Sequence, residues 1–374
     1  MATSHYRVRV YAHGVTRVIV AAGGGGDAVA GVVVSAALYG AGPAVVLTYA
    51  WERLIVDPLP GPRAADEFVG LRRLTERVSA VGPGARAVPP AGSTLPRLAA
   101  EVPHTFALLD PHHGVQGMVR QIREVVDWAS AESVDIVDVG GDILARGDEP
   151  GLRSPLGDAL VLAAAARADV GARVLVAGAG LDGEISAEEL RHRMGETVHA
   201  LTATDVETVG AVLEWHPSEA TAMLVAAARG VRGVCEVRDA GLPIPLTDDA
   251  ATVFEADLGE ALRRNELAGR LLHTTGLDEA ERYSREVCGF SEIDYERRKA
   301  LRLGRQVRRP LTPEELMPRL DRFEVGARAR GVTHTTFRRL TEALGFGGAQ
   351  REALRAMLVA ARPDRYAAPL WSVR

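Results

Sequence analysis

The chain has 374 residues, 47% apolar and 25% charged, which is enough for one large or two ordinary globular domains with a real core. Its 44 Lys and Arg stand against 49 Asp and Glu, so the formal charge of −5 and a pI near 6.1 argue against nucleic acid as the main partner. Lys299 is the single lysine, which removes the Gly-Lys-Ser/Thr phosphate loop and nearly all lysine chemistry. Within the run Glu296-Arg297-Arg298-Lys299 that lysine reads as part of a solvated helix face. Cys235 and Cys288 form no close pair and no metal-ligand spacing, which fits a reducing cytoplasm. The first residues lack the apolar core of a signal peptide, and no apolar run reaches about 18 residues, so a cytoplasmic protein without membrane contact is expected.

In chain order, short Val/Leu/Ala-rich runs alternate with amphipathic stretches between Thr16 and Leu272. Strands buried on both faces and joined by crossover helices produce that pattern. Strands are predicted at Arg17–Ala22, Ala44–Tyr49, Thr105–Leu109, Val134–Val139 and Arg173–Ala177, with weaker ones at Arg232–Val237 and Thr252–Ala256. Helices fall between them at about Ala28–Leu38, Val115–Ala129, Leu156–Ala168 and Ala187–Met194. The Gly/Pro-rich stretch 58–103 interrupts the alternation and reads as an insertion, with Val69–Val88 a hairpin or an excursion over the site. After Gly276 the text becomes charged and helix-forming, at Glu279–Val287, Asp294–Gly304, Pro313–Arg330 (opening at Thr312-Pro-Glu-Glu), Thr335–Leu344 and Gln350–Ala361. The expected fold is a Rossmann-like α/β domain, an open and mostly parallel sheet with helices on both faces, over residues 1–275. A helical C-terminal segment, 276–374, packs on it.

Ligands of such sheets bind at the carboxyl ends of the strands, so the residues after each strand carry the chemistry. The first strand runs into Gly23-Gly24-Gly25-Gly26-Asp27 and a helix. Gly24, Gly25 and Gly26 there bring backbone N–H groups to a phosphate at a helix N-terminus. Glu52, just past the second strand, stands where a ribose-binding acid sits in a dinucleotide site, although Asp27 would crowd a pyrophosphate. The third strand ends in Asp110-Pro-His112-His113, the fourth in Asp138-Val-Gly-Gly-Asp142, and the fifth in Gly178-Ala-Gly180-Leu-Asp182-Gly-Glu184. Ser186 with Glu189 forms a capping box for the following helix. Asp142 reads as functional and Asp138 as the acid that orients the loop. If the sheet is parallel, Asp27, Asp110, Asp142 and Asp182 converge on one rim, which is costly unless a cation or a polyhydroxylated ligand offsets the repulsion.

Further on, His216 near a helix start has the residue type of a general acid or base poised near neutrality, while Ser218 and Glu219 read equally as a plain cap and a first-turn acid. No Gly-x-Ser-x-Gly elbow, His-Glu-x-x-His or kinase motif occurs.

On Ala22-Gly-Gly-Gly-Gly-Asp27, Asp138-Val-Gly-Gly-Asp142 and Gly178-x-Gly180-x-Asp182-Gly-Glu184, the chain resembles an uncharacterised bacterial and archaeal family, domain of unknown function 1152, over most of its length to about residue 340. The resemblance implies no activity. It implies that the acidic Gly-rich loops are the place to look.

The residues point to an enzyme acting on a nucleotide, nucleoside or phosphorylated sugar by transfer or hydrolysis at a glycosidic or phosphate bond. Gly24, Gly25, Gly26, Glu52, Gly178 and Gly180 bind the ligand. Asp27, Asp142 and Asp182 hold Mg²⁺ or ribose hydroxyls, and Asp142, Asp182, His112 and His216 carry the chemistry. The partner is then a small phosphorylated or ribosylated molecule, and a homo-oligomer is compatible. The alternatives are an NAD(P)-dependent oxidoreductase and a non-catalytic ligand-binding or scaffold protein.

Overall fold

The computed structural model describes residues 17–40, 42–304 and 313–374; Thr312, expected just before a helix, lies outside them. Five parallel strands, β1 (Arg17–Ala21), β2 (Ala44–Thr48), β3 (Thr105–Leu108), β4 (Ser133–Val139) and β5 (Gly171–Ala177), form the middle of a nine-stranded mixed sheet. Their spatial order is β3-β2-β1-β4-β5, with Val18 of β1 in register with Val45 on one side and Val134 on the other. Thr252–Ala256 extends one edge antiparallel to β5, followed by Thr197–Ala200. Ser79–Val81 extends the other edge antiparallel to β3, so part of the expected 58–103 insertion is a hairpin completing the sheet.

Both faces of the sheet are covered, which is why its strands read as unbroken apolar runs. Ile19 and Ala21 face one core, which includes residues of α1 (Gly25–Tyr39) and α4 (Glu219–Ala228). Val18 and Val20 face the other, built with α2 (Gly114–Ala129) and α3 (Pro155–Ala168). Full burial of each such side chain contributes about 1.5–3 kcal/mol. That burial overrides the weak intrinsic helix propensity of the Gly- and Val-rich α1. At Gly31 helix and strand come so close that a Cβ would stand 3.0 Å from Ile19 Cγ2.

The C-terminal part departs from a simple helical tail. Gly233–Val237, expected in the main sheet, belongs instead to a second, five-stranded sheet with Leu242–Leu246, His334–Thr335, Leu370–Ser372 and Tyr366–Ala367. Leu340, Leu354 and the fully buried Trp371 give this unit its own core. The smaller unit therefore draws on chain from both sides of the boundary expected at 275/276. The helix expected over Ala187–Met194 has its Ser186–Glu189 capping box but spans only Ala187–Leu190. Among the described residues, no helix is long and apolar enough to cross a membrane.

Candidate functional site

In the β3-β2-β1-β4-β5 order the chain leaves β1 toward β2 and leaves β4 toward β5, which opens a crevice at the carboxyl ends of β1 and β4. A cleft of about 170 Å³ lies there. β1 delivers Asp27 in the first turn of α1, and β4 ends with Asp138. The first turn of α3 brings Asp158, so that carboxylate oxygens of Asp27, Asp138 and Asp158 lie within 4.8 Å of one another.

Asp27 holds two loops together. One oxygen accepts the Gly23 N–H at 2.5 Å and the other accepts the Val139 N–H at 3.2 Å. Asp138, 1% exposed, is held by backbone N–H groups alone, a long bond of 3.4 Å from Ile143 and a weaker contact from Gly141. Asp158 is 3% exposed, and its Oδ1 is buried with no hydrogen-bond partner. Asp142 receives a 3.4 Å bond from Ser154 Oγ, and Asp182 accepts the Glu184 N–H at 2.9 Å while its Oδ2 has no partner. Burial pushes all five carboxyls up, Asp27 to about 6 against the pull of its backbone bonds and Arg53; in the other four neighbouring carboxylates add to it, taking Asp182 to about 7 and the remaining three well above the usual carboxylate range. Glu184 differs. It accepts Arg153 N–H, Ser154 N–H and Ser154 Oγ at 2.5–2.9 Å, and so serves the entry to α3.

Other cleft residues bring cations among further acids. Residues of α5 (Glu292–Gly304) line the cleft, including Glu292, Glu296 and Lys299. The Lys299 side chain is 13% exposed and stands 4.0 Å from Asp239. Its assignment to a solvated face is corrected, because α5 folds back across the strand ends and turns that lysine inward. Arg338 joins it from the second unit at 3.5 Å from Glu219, and Arg53 joins from the segment after β2. None of these three cations donates a hydrogen bond within the described residues. Burial, then Arg338, pulls the Lys299 ammonium below its usual range.

Several expected positions move. The Gly23–Gly26 loop adopts no positive φ. Its glycines are required by close approach instead, since a Cβ on Gly24 would meet the Trp51 carbonyl oxygen at 2.2 Å and one on Gly26 would meet Ser218 Oγ at 2.6 Å. Gly178 and Gly180 do not line the cleft. Their φ values of +62° and +81° make the turn, and their N–H groups donate to Thr252 and Gly140 carbonyls at 3.0 and 2.7 Å. His112 is also absent from the cleft, its Nδ1 lying 2.7 Å from Asp110 Oδ1. Both residues follow β3, two strands away from β1, so of the four rim acids Asp27, Asp142 and Asp182 line the cleft, and of these only Asp27 belongs to the trio within 4.8 Å. Glu52 and His216 do line the cleft. Burial, with Arg351 nearby, holds His216 down at about 3, so it is neutral at physiological pH and not poised near neutrality. Ser218 caps α4 by accepting the Thr221 N–H, the plain role open to it from the sequence.

Over residues 18–300 the chain matches the model of a family described as protein of unknown function (DUF1152). The chain belongs to that family. The matched span runs from β1 into α5 and so contains Asp27, Asp138, Asp158 and Lys299, whereas Arg338 lies beyond it. No curated protein and no solved structure matches the chain.

Asp158, Glu292, Lys299, Arg53 and Arg338 are the cleft residues that sequence reasoning missed. Asp158 carried a signal, being the only acid in the helix Pro155–Ala168, whose one other charged residue is Arg167 in its last turn. The others carried none, because only the return of α5 and of the second unit brings them to the strand ends.

Proposed function

We propose that the cleft is the active site of a metal-assisted transferase or hydrolase. Its substrate is a nucleotide, nucleoside or phosphorylated sugar, and the bond acted on is a phosphate or glycosidic bond. The observation that carries this is the meeting of Asp27, Asp138 and Asp158 within 4.8 Å, together with a buried Asp158 oxygen that has no partner. Three carboxylates so close repel one another, and a hard divalent cation such as Mg²⁺ is the usual offset, taking carboxylate oxygens and substrate phosphate together. Such a cation supplies charge neutralisation at the phosphate and a more acidic bound water. Arg53, Lys299 and Arg338 have donors to spare for the substrate's anionic group, a role the sequence had assigned to Gly24–Gly26. Asp142 and Asp182 stand beside the carboxylate triad to orient hydroxyls or take a proton.

A nicotinamide dinucleotide fits less well. The Gly23 N–H that would face a pyrophosphate donates to Asp27, and about 170 Å³ is below the roughly 300–1,000 Å³ of pockets that enclose drug-sized ligands. The free thiols of Cys235 and Cys288 support a reducing, cytoplasmic setting.

Calorimetric titration with Mn²⁺ or Mg²⁺, then with inorganic phosphate, tests the proposal on the full chain. The expected outcome is cation binding by the parent and phosphate affinity weakened roughly tenfold in Lys299→Met, the equivalent of about 1.4 kcal/mol. A parent that binds neither cation and turns over no phosphate ester or nucleoside overturns it.

A further inference from the structure

Above the N-terminus of α1 the cleft wall contains a gap that the phosphate and cation do not explain. Glu52 forms one side of it and is 5% exposed. Its Oε1 accepts three hydrogen bonds, from Thr94 N–H and Thr94 Oγ at 2.6 Å each and from Ser93 Oγ at 3.3 Å. Its Oε2 accepts none within the described residues, so one oxygen anchors the loop and the other is spare. His216 forms the other side and is 6% exposed. Its Nδ1 accepts the Ser218 N–H at 3.3 Å, so the proton of the neutral ring sits on Nε2. That Nε2 is buried with no partner.

Glu52 Oε2 and His216 Nε2 each lie 3.5 Å from the point where a Cβ on Gly25 would stand, and Thr94 Oγ1 lies 2.9 Å from it. Gly25 therefore has no room for a side chain, and its lack of one lets these polar atoms converge where Gly25, Glu52 and His216 line the cleft. The gap presents the spare acceptor Glu52 Oε2 and the spare donor His216 Nε2–H, beside a Thr94 Oγ1 whose proton already goes to Glu52. A phosphate oxygen would be repelled by Glu52, and an ammonium would leave Nε2–H unpaired. A hydroxyl satisfies both, because it donates and accepts at once.

We infer that this gap reads a sugar hydroxyl of the substrate, which donates to Glu52 Oε2 and accepts from His216 Nε2–H. The inference rests on the active site proposed above and names the substrate class within it: a phosphate bound to a hydroxylated ring, held at two points. A site built to hydrogen-bond a hydroxyl rejects a ligand lacking it, since its own buried groups are then left unpaired.

Glu52→Gln is the discriminating variant. Thr94 and Ser93 require an acceptor at Oε1, so the amide nitrogen takes the Oε2 position and turns the ligand-facing acceptor into a donor. The three loop bonds survive, and an unchanged melting temperature checks this. Calorimetry on the full chain with Mn²⁺ present would compare inorganic phosphate, ribose 5-phosphate, 2-deoxyribose 5-phosphate and glucose 6-phosphate. At least one sugar phosphate is expected to bind roughly tenfold more tightly than inorganic phosphate, and Glu52→Gln and His216→Leu to erase that margin. In both variants inorganic phosphate and Mn²⁺ bind as in the parent. The hydroxyl assignment is overturned if no sugar phosphate exceeds inorganic phosphate, or if Glu52→Gln keeps the margin. Failure of the parent to bind Mn²⁺ and phosphate removes the active site itself and this subsite with it, a different pattern from selective loss of sugar affinity.

Discussion

The strand β4 carries two buried aspartates with opposite surroundings. Asp135, near its amino end and 7% exposed, accepts the Tyr39 hydroxyl at 2.6 Å and Arg173 Nε at 2.7 Å. Asp138, at its carboxyl end and 1% exposed, has weak backbone bonds and other carboxylates for neighbours. The first is a matched ion pair across β4 and β5 that also ties α1 to the sheet. The second is a charge the fold leaves unpaid. Buried acids elsewhere follow the first pattern, Glu149 with Arg193 at 2.6 Å and Glu236 with Arg330 and Arg339 at 2.6 and 2.7 Å. Burial alone therefore does not distinguish the cleft from the rest of the molecule. The lack of a cation paired directly to these carboxylates does, and they collect at the rim where the topology opens a crevice.

The two ends of β4 should respond oppositely to the same change. Asp138→Asn or Asp158→Asn should weaken Mn²⁺ binding by more than the roughly 10–100-fold that outer-shell partners cost, and should leave the metal-free protein no less stable. Calorimetry and thermal melts check both, and retained Mn²⁺ affinity would break the contrast. Asp135→Asn removes the charged acceptor of Tyr39 and Arg173, so a destabilisation of about 1–3 kcal/mol with unchanged Mn²⁺ affinity is expected in denaturant titrations.

Acidity sharpens the contrast further. Asp27 and Asp182 titrate near 6 and 7 in the folded chain against an ordinary 3.8, so between those values the folded state holds protons the unfolded chain has released. Metal-free stability should therefore fall as pH rises from about 4 to 7, by several degrees of melting temperature. Bound Mn²⁺ should flatten or reverse that slope, because it takes the deprotonated carboxylates. Melts in chelator and in Mn²⁺ at pH 5 and pH 8 would reveal it, and identical slopes would count against a cation at the rim.

The smallest effect belongs to His112. Its bond to Asp110, and then the charge of Asp110, raises the imidazole above its usual range. The pair contributes fully below about pH 6.5 and is lost as pH rises through the raised value. His112→Ala should cost about 1 kcal/mol or less and leave Mn²⁺ and phosphate affinity untouched, since the pair is compensated and lies outside the cleft.

Much of the body was legible. Strands buried on both faces must be apolar throughout, so β1 to β5 stood out within two residues of their observed ends. Asp27, Asp142 and Asp182 were legible because each lies in the loop or first helical turn after its strand, and in a parallel sheet the ends of adjacent strands share a rim. His112 failed the same test because that logic ignores lateral order. Gly24–Gly26 were found for an incomplete reason, being small where Trp51 and Ser218 press on the loop rather than because of positive φ. Gly233–Val237 was legible as a strand but not as a member of another sheet, since periodicity reports burial and not partner.

The sequence by itself determined the alternation of apolar strands and crossover helices, the family, and the run of acids after successive strands, because these depend on residues near in the chain. Only the tertiary structure decided which acids meet, and it was the strand order β3-β2-β1-β4-β5 that put Asp27 and Asp138 side by side and set Asp110 apart. It also decided the meaning of the single lysine. A residue indistinguishable in the chain from its charged neighbours became a cation of the cleft, because the helix that carries it packs across the strand ends and turns that face inward.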